Sequence, residues 1–181
     1  MQPSEAVACS SPWVRGLDLT DGASLRERAL QDAFDRNYTR LLRLCVVLTG
    51  SREAGEDLAQ ESFARIAPRI QELEESEWWP YLRMIAANQS KNRWRRLGLE
   101  RRERFRPADH TDPSEAVDDR DQTWRAVVRL PPRQRAVVAL RYYEDLKERE
   151  IAAVLGCSLG TVKSQLSRAL QRLKKELRDD D

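Results

Sequence analysis

Histidine is nearly missing from this chain: His110 is its only one. It sits in a charged stretch with no partner set around it, so no nucleophile–base arrangement suggests an enzyme. Cysteine is scarce and unpaired. Cys9, Cys45 and Cys157 are odd in number, widely spaced and form no CxxC, which excludes a disulfide framework and a zinc site. They read as small apolar side chains in a reducing cytosol. With only seven glycines there is no glycine-rich phosphate loop, and no metal or cofactor is expected. No apolar run is long enough to cross a membrane and no signal peptide is visible, so the expected location is cytoplasmic, without membrane insertion. A single global field is also lacking, since the net charge is only +2.

What the chain has is segregated charge and helical periodicity. Glu53 to Glu77 is acidic, Lys91 to Arg106 basic, Asp109 to Asp121 acidic, and the final helix basic again. Apolar residues recur at three- and four-residue steps, which predicts an all-α protein with small cores. Residues 1–24, rich in small polar residues with Pro3 and Pro12, read as a disordered arm. A helical domain follows over 25–97. Leu30, Phe34, Tyr38, Leu41, Cys45 and Leu48 form its first stripe, Thr49-Gly50 a stop and Ser51 a cap. A third helix is expected to begin at Trp79-Pro80, with proline in the first position. Residues 98–121, charged and aperiodic with Pro107 and Pro113, read as a flexible linker. Residues 122–178 form a second small helical domain.

That second domain ends in a helix-turn-helix. Glu150 to Leu155 gives a short apolar helix whose expected cap, Lys147, is weak. Gly156 turns the chain, and Ser158 caps a helix from about Leu159 to Leu177. Val162, Leu166, Ala169, Leu173 and Leu177 face inward, and Leu170 also has core spacing. Thr161, Lys163, Ser164, Gln165, Ser167 and Arg168 are candidate contacts to a DNA major groove. Lys and Arg suit guanine acceptors, Gln adenine, and Ser either. A solvated polar face would explain a lone basic helix, but here the turn, the apolar partner helix and the capped start agree. Upstream, Asn88, Lys91, Asn92, Trp94, Arg95 and Arg96 interleave an aromatic with amides and cations, as a binder of unpaired nucleic acid requires. Trp79, Tyr81 and Ile85 read as core.

These motifs together resemble a known family. Glu56-Asp57-Leu58-Ala59-Gln60-Glu61-Ser62-Phe63 is similar to the EDLxQExF signature of sigma-70 region 2.2. Tyr81 through Arg96 resembles regions 2.3 and 2.4. Leu130-Pro131-Pro132-Arg133-Gln134-Arg135 and the helix-turn-helix resemble region 4. On this order and spacing the chain is identified as a member of the extracytoplasmic-function (ECF) sigma factors, group IV, nearest in wording to their SigE-like subgroup.

The resemblance implies a sigma-2 helical bundle and a sigma-4 helix-turn-helix domain joined by the linker, and a protein that is monomeric when free. It implies core RNA polymerase and promoter DNA as partners, with an anti-sigma factor as a further candidate. Asp57, Gln60 and Glu61 would dock on polymerase. Asn88, Lys91, Asn92, Trp94, Arg95 and Arg96 would read and melt the −10 element around a flipped base. Thr161, Lys163, Ser164, Gln165, Ser167 and Arg168 would read the −35 element. The acidic linker would thread toward the polymerase RNA channel. Gln165 and Leu170 stand where many members carry Arg. A stand-alone helix-turn-helix regulator is the alternative; it predicts a dimer on palindromic half-sites and leaves Asp57, Gln60 and Glu61 without a role.

Overall fold

A glycine decides how the first two helices meet. α1 spans Leu19–Thr49 and α2 spans Arg52–Ile66 in the computed structural model, which describes residues 19–103 and 122–179, with side chains over 24–96 and 122–178. Gly55 of α2 lies against α1 so closely that a Cβ there would sit 2.8 Å from the Val46 nitrogen and 2.9 Å from its Cα. Between the helices, Gly50 adopts φ +83°, the left-handed conformation that ends a helix at little cost to glycine. Its N–H donates to Val46 O at 2.8 Å. The Ser51 hydroxyl accepts from Ala54 N at 3.2 Å, as its expected cap role requires.

α1 buries Leu41, Leu44, Cys45, Val47 and Leu48, and α2 buries Leu58, Ala59, Phe63 and Ile66 against them. Pro68 stands in the first turn of a 3-10 segment, Ala67–Glu72, that leads into α3. α3 runs over Glu75–Glu103 and buries Trp78, Leu82, Ile85, Ala86 and Ala87. Three boundaries differ from the sequence reading. α1 begins at Leu19, inside the span read as an arm. α3 begins at Glu75 rather than Trp79, so Pro80 lies inside it. Its start is held by Glu77, whose carboxylate accepts from Glu74 N at 2.9 Å: half a capping box, hidden from the sequence because Glu74 is not a usual cap residue. α3 also covers the first residues of the expected linker. The rest of the linker, with His110, and residues 1–18 lie outside the described residues.

The second domain comprises α4 (Gln122–Arg129), α5 (Pro132–Val138), α6 (Glu148–Leu155) and α7 (Leu159–Asp179). α5 continues as a π-helical turn over Ala139–Tyr143. Gly156 closes α6 with φ +57°, and Ser158 caps α7 by accepting from Thr161 N at 3.1 Å. Where a weak cap was expected, the Glu150 carboxylate reaches back to Lys147 N at 2.6 Å and occupies the orphan donor.

The two helical domains are not separate bodies with separate cores. Leu48, Ile70 and Leu82 of the first and Val137, Leu140 and Ile151 of the second belong to one contiguous buried cluster. α1 packs on α5, and α3 on α5 and α6. No strand occurs among the described residues.

Candidate nucleic-acid interface

α7 presents its polar side by simple helix geometry. At about 100° per residue, Val162, Leu166, Ala169 and Leu173 converge on one stripe. Val162 and Ala169 are fully buried, and Leu166 and Leu173 pack against the core. Ser164, Ser167 and Arg168 lie on the opposite side and are exposed, as are Thr161 and Lys163. Gln165 falls near the buried stripe and is half-buried, so it is the least available of the six. Two of the hydroxyls serve the helix itself: Thr161 Oγ1 pairs with Ser158 Oγ at 2.9 Å, and Ser164 Oγ donates to Thr161 O at 2.9 Å. Leu170 corrects its reading as a core residue. It is 41% exposed and lines a shallow groove with Lys163, Ser167, Gln171 and Lys174, because Leu173 takes the inward position one turn on.

On α3, Asn88, Lys91, Asn92 and Arg95 fall on one face, with Arg96 beside it. Asn92, Arg95 and Arg96 are exposed. Asn88 and Lys91 are half-buried. Trp94 points the other way and packs against the apolar core, which separates it from the rest of the predicted set. The Lys91 ammonium donates to Leu155 O at 2.8 Å, at the C-terminus of α6, and so touches the helix-turn-helix itself. A cation there meets unpaired carbonyls and the negative end of the helix dipole.

Asp57, Gln60 and Glu61 project together from α2, all exposed. Two of them are tied to α3, a link the sequence did not reveal. Asp57 pairs with Arg93 at 3.8 Å. Gln89, with its amide turned to satisfy both neighbours, donates to the Glu61 carboxylate at 2.6 and 2.8 Å and accepts from Arg65 Nε at 3.0 Å. The exposed Asp57–Arg93 pair is worth about 0–1 kcal/mol, too little to keep Asp57 from a basic partner.

Other polar residues escaped sequence reasoning. Arg135, in the Pro-Pro-Arg-Gln-Arg run, is 6% exposed. Its guanidinium donates to Val128 O at 2.5 Å within its own domain, and to Thr49 O at 3.0 Å and Leu48 O at 3.3 Å at the end of α1. Burial pushes it down to about 10, so it stays protonated at neutral pH. Glu144 accepts from Trp79 Nε1 and from two arginines of the first domain. Neither residue carries a periodic signal. Among the described residues no cluster of His, Cys, Asp or Glu suits a metal ion, and no helix is long and apolar enough to cross a membrane.

Comparison with known proteins matches both halves. A family model described as "Sigma-70 region 2" covers residues 33–100, and one described as "Sigma-70, region 4" covers 120–173. The chain is 37% identical over 153 residues to an RNA polymerase sigma-E factor of Streptomyces coelicolor, covering 83% of this chain and 82% of that one. To the ECF RNA polymerase sigma factor SigE of Mycolicibacterium smegmatis it is 30% identical, covering 91% and 70%. Among solved structures, the fold resembles the sigma factor RpoE of Bartonella quintana in complex with the anti-sigma factor NepR. The TM-score is 0.61 at 22% identity, over 83% of this chain and 98% of that one. It also resembles CnrH in complex with the cytosolic domain of CnrY, with a TM-score of 0.57 at 20% identity, over 90% and 96%.

Proposed function

The chain belongs to the sigma-70 family as an RNA polymerase sigma factor of the ECF type, and from that premise we propose which of its surfaces does which part of the work. The acidic face of α2, through Asp57, Gln60 and Glu61, docks on core RNA polymerase, where a carboxylate-rich surface suits a basic partner. The exposed face of α7, through Thr161, Lys163, Ser164, Ser167 and Arg168 with Gln165 at its edge, reads the −35 element. The α3 face of Asn88, Lys91, Asn92, Arg95 and Arg96 meets the −10 element. It follows the phosphates of the melted strand and offsets the few kcal/mol that unpairing a base costs. Trp94, packed inward, supports that helix from behind. The protein acts in the cytoplasm as an initiation factor rather than an enzyme, monomeric when free. An anti-sigma factor completes the proposed partner set; its support is the pairing named for the Bartonella quintana fold neighbour.

The observation that carries this reading is the outward polar face of α7 on a capped helix after a glycine turn. A stand-alone regulator accounts for that face alone, whereas the match over residues 33–100 needs the first domain as well. Run-off transcription with core polymerase on a randomised promoter library tests the whole reading. A promoter-dependent transcript is expected, and none above core alone refutes it. Within it, Lys163→Ala and Arg168→Ala weaken −35 binding, each by about 1–3 kcal/mol if the lost contact is to a base, while polymerase binding is kept. Unchanged promoter footprints for both variants remove these residues from the −35 assignment.

A further inference from the structure

Among the described residues, Arg135, Lys91 and Glu144 each make polar contacts between the two domains, and two of them share a logic. Arg135 of the second domain caps the C-terminal carbonyls of α1, and Lys91 of the first caps the C-terminus of α6. The third is Glu144, which lies at the end of the π-helical turn. One carboxylate oxygen accepts from Trp79 Nε1 at 2.9 Å, Arg40 at 3.0 Å and Arg83 at 3.4 Å, all from the first domain. The side chain of Glu144 is only 3% exposed. A carboxylate this buried requires such donors, since alone it would bear a heavy desolvation cost. Asp145, which follows it, has φ +49°, an uncommon conformation for a residue other than glycine, and the chain turns sharply there. Arg40 also stacks over the Trp79 ring, 4.0 Å from its centroid.

We propose that Glu144 is the centre of an interdomain latch that holds the free chain closed and withholds Lys91 of α3 from DNA. The latch is selective. In the closed form Lys163, Ser167 and Arg168 on α7 and Asp57, Gln60 and Glu61 on α2 are all exposed, while Lys91 is occupied by the helix-turn-helix. Asn92, Arg95 and Arg96 are exposed in the closed form too, so what opening adds is Lys91, which must leave the Leu155 carbonyl before it engages an unpaired strand. The occlusion rests on the assignment of Lys91 to the −10 interface; the closure itself does not.

The experiment compares full-length wild type with Glu144→Arg, which sets a cation against Arg40 and Arg83. Small-angle scattering reads compactness. Mass spectrometry after acetic anhydride treatment reads the acetylation rate of Lys91. Fluorescence anisotropy reads affinity for a randomised single-stranded DNA pool. With helicity unchanged, the variant is expected to expand, to acetylate Lys91 several-fold faster and to bind the DNA several-fold tighter. Adding Arg40→Glu and Arg83→Glu to Glu144→Arg should restore compactness and Lys91 protection. Should Glu144→Arg unfold, the half-exposed Arg40→Glu sets a carboxylate against Glu144 and is expected to open the chain in the same assays. A helical variant that stays compact with Lys91 protected overturns the latch. An opened chain with no gain in DNA affinity overturns the occlusion. If Lys91→Ala in that opened chain also leaves DNA binding unchanged, it is the assignment of Lys91 to DNA that has failed.

Discussion

Replacing Arg135 with methionine should destabilise the whole chain, and the magnitude follows from two opposing terms. Hydrogen bonds from a charged donor are worth about 1.5–3 kcal/mol each, and Arg135 makes three, one of them long at 3.3 Å. Against this stands desolvation. A guanidinium pushed down from its ordinary value to about 10 has lost about 3 kcal/mol of preference for its charged form. Its Nε, buried without a partner, makes the desolvation worse. Methionine keeps much of the stem and removes that penalty, but it leaves the carbonyls of Leu48 and Val128 buried and unpaired, at about 1–3 kcal/mol each. Thr49 lies nearer the surface, where water can serve its carbonyl. The net expectation is a loss of about 2–4 kcal/mol, or roughly 5–15 °C in Tm for a chain of this length. Circular dichroism at 222 nm during heating measures it, with urea titration as the second readout. Gly50 supplies a control, because a Cβ there would lie 2.7 Å from a guanidinium nitrogen of Arg135. Gly50→Ala therefore strains the turn and also displaces the arginine. Its effect should shrink when Arg135 is already methionine, giving a non-additive double-mutant cycle. A variant Arg135→Met within about 0.5 kcal/mol of wild type would refute the reasoning, since relaxation or water must then satisfy those carbonyls.

Gly55→Ala sets helix propensity against packing. Alanine gains about 1 kcal/mol in a helix interior, but its methyl would overlap the backbone of Val46, which cannot rotate away as a side chain can. Overpacking costs about 1–3 kcal/mol or more, so a net loss of about 1–2 kcal/mol is expected in urea titration, and a stabilised variant would count against the close α1–α2 approach. The cysteines separate by burial. Cys45 is fully buried, its thiol pushed up to about 12 by desolvation, whereas Cys157 is half-exposed. Iodoacetamide at pH 8 should modify Cys157 in the native protein and reach Cys45 only in denaturant. Because the Cys45 thiol ionises near 9.0 when unfolded and near 12 when folded, its contribution is intact below pH 9 and is lost progressively from there to pH 12. Between pH 8 and pH 10 the wild type should lose about 1 kcal/mol more than Cys45→Ala; equal losses would remove Cys45 as the cause.

The helices, the two domains and the outward face of α7 were legible because each follows from periodicity and caps, which are local. Ser51, Ser158 and Gly156 act as their residue types predict. What the sequence hid depends on distant partners. The start of α3 needed Glu77 to reach back to Glu74, and proline inside a helix argued against it. Leu170 has core spacing, but the stripe through Val162, Leu166, Ala169 and Leu173 leaves no inward room for it. Gly55 looks like an ordinary weak point in a helix until Val46 is beside it. Arg135 and Glu144 look like surface charges in a chain that is 34% charged. Their burial arises only because α5 meets α1 and the π-helical turn meets Trp79, and no spacing along the chain encodes that encounter.

The chemistry of that encounter suits the proposed opening. Each domain is small enough that its own core is marginal, so sharing a buried cluster stabilises both. An interface held only by apolar burial would lose about 25 cal/mol for every Å² exposed on opening, with nothing to replace it. Here the shared apolar cluster is joined by cations on helix carbonyls and a carboxylate among N–H donors. Each exchanges for water at a modest net cost, because water hydrogen bonds to the freed groups on both sides. Lys91 gains more than water on opening if phosphates replace the Leu155 carbonyl, since an ammonium is attracted more strongly to an anion than to a neutral dipole. The same cation then favours the closed chain in the absence of an unpaired strand and the open chain in its presence. The equilibrium shifts only by the difference between these two interactions. Wild type in which a single-stranded DNA pool accelerates Lys91 acetylation, rather than shielding it or leaving it unchanged, would contradict this exchange.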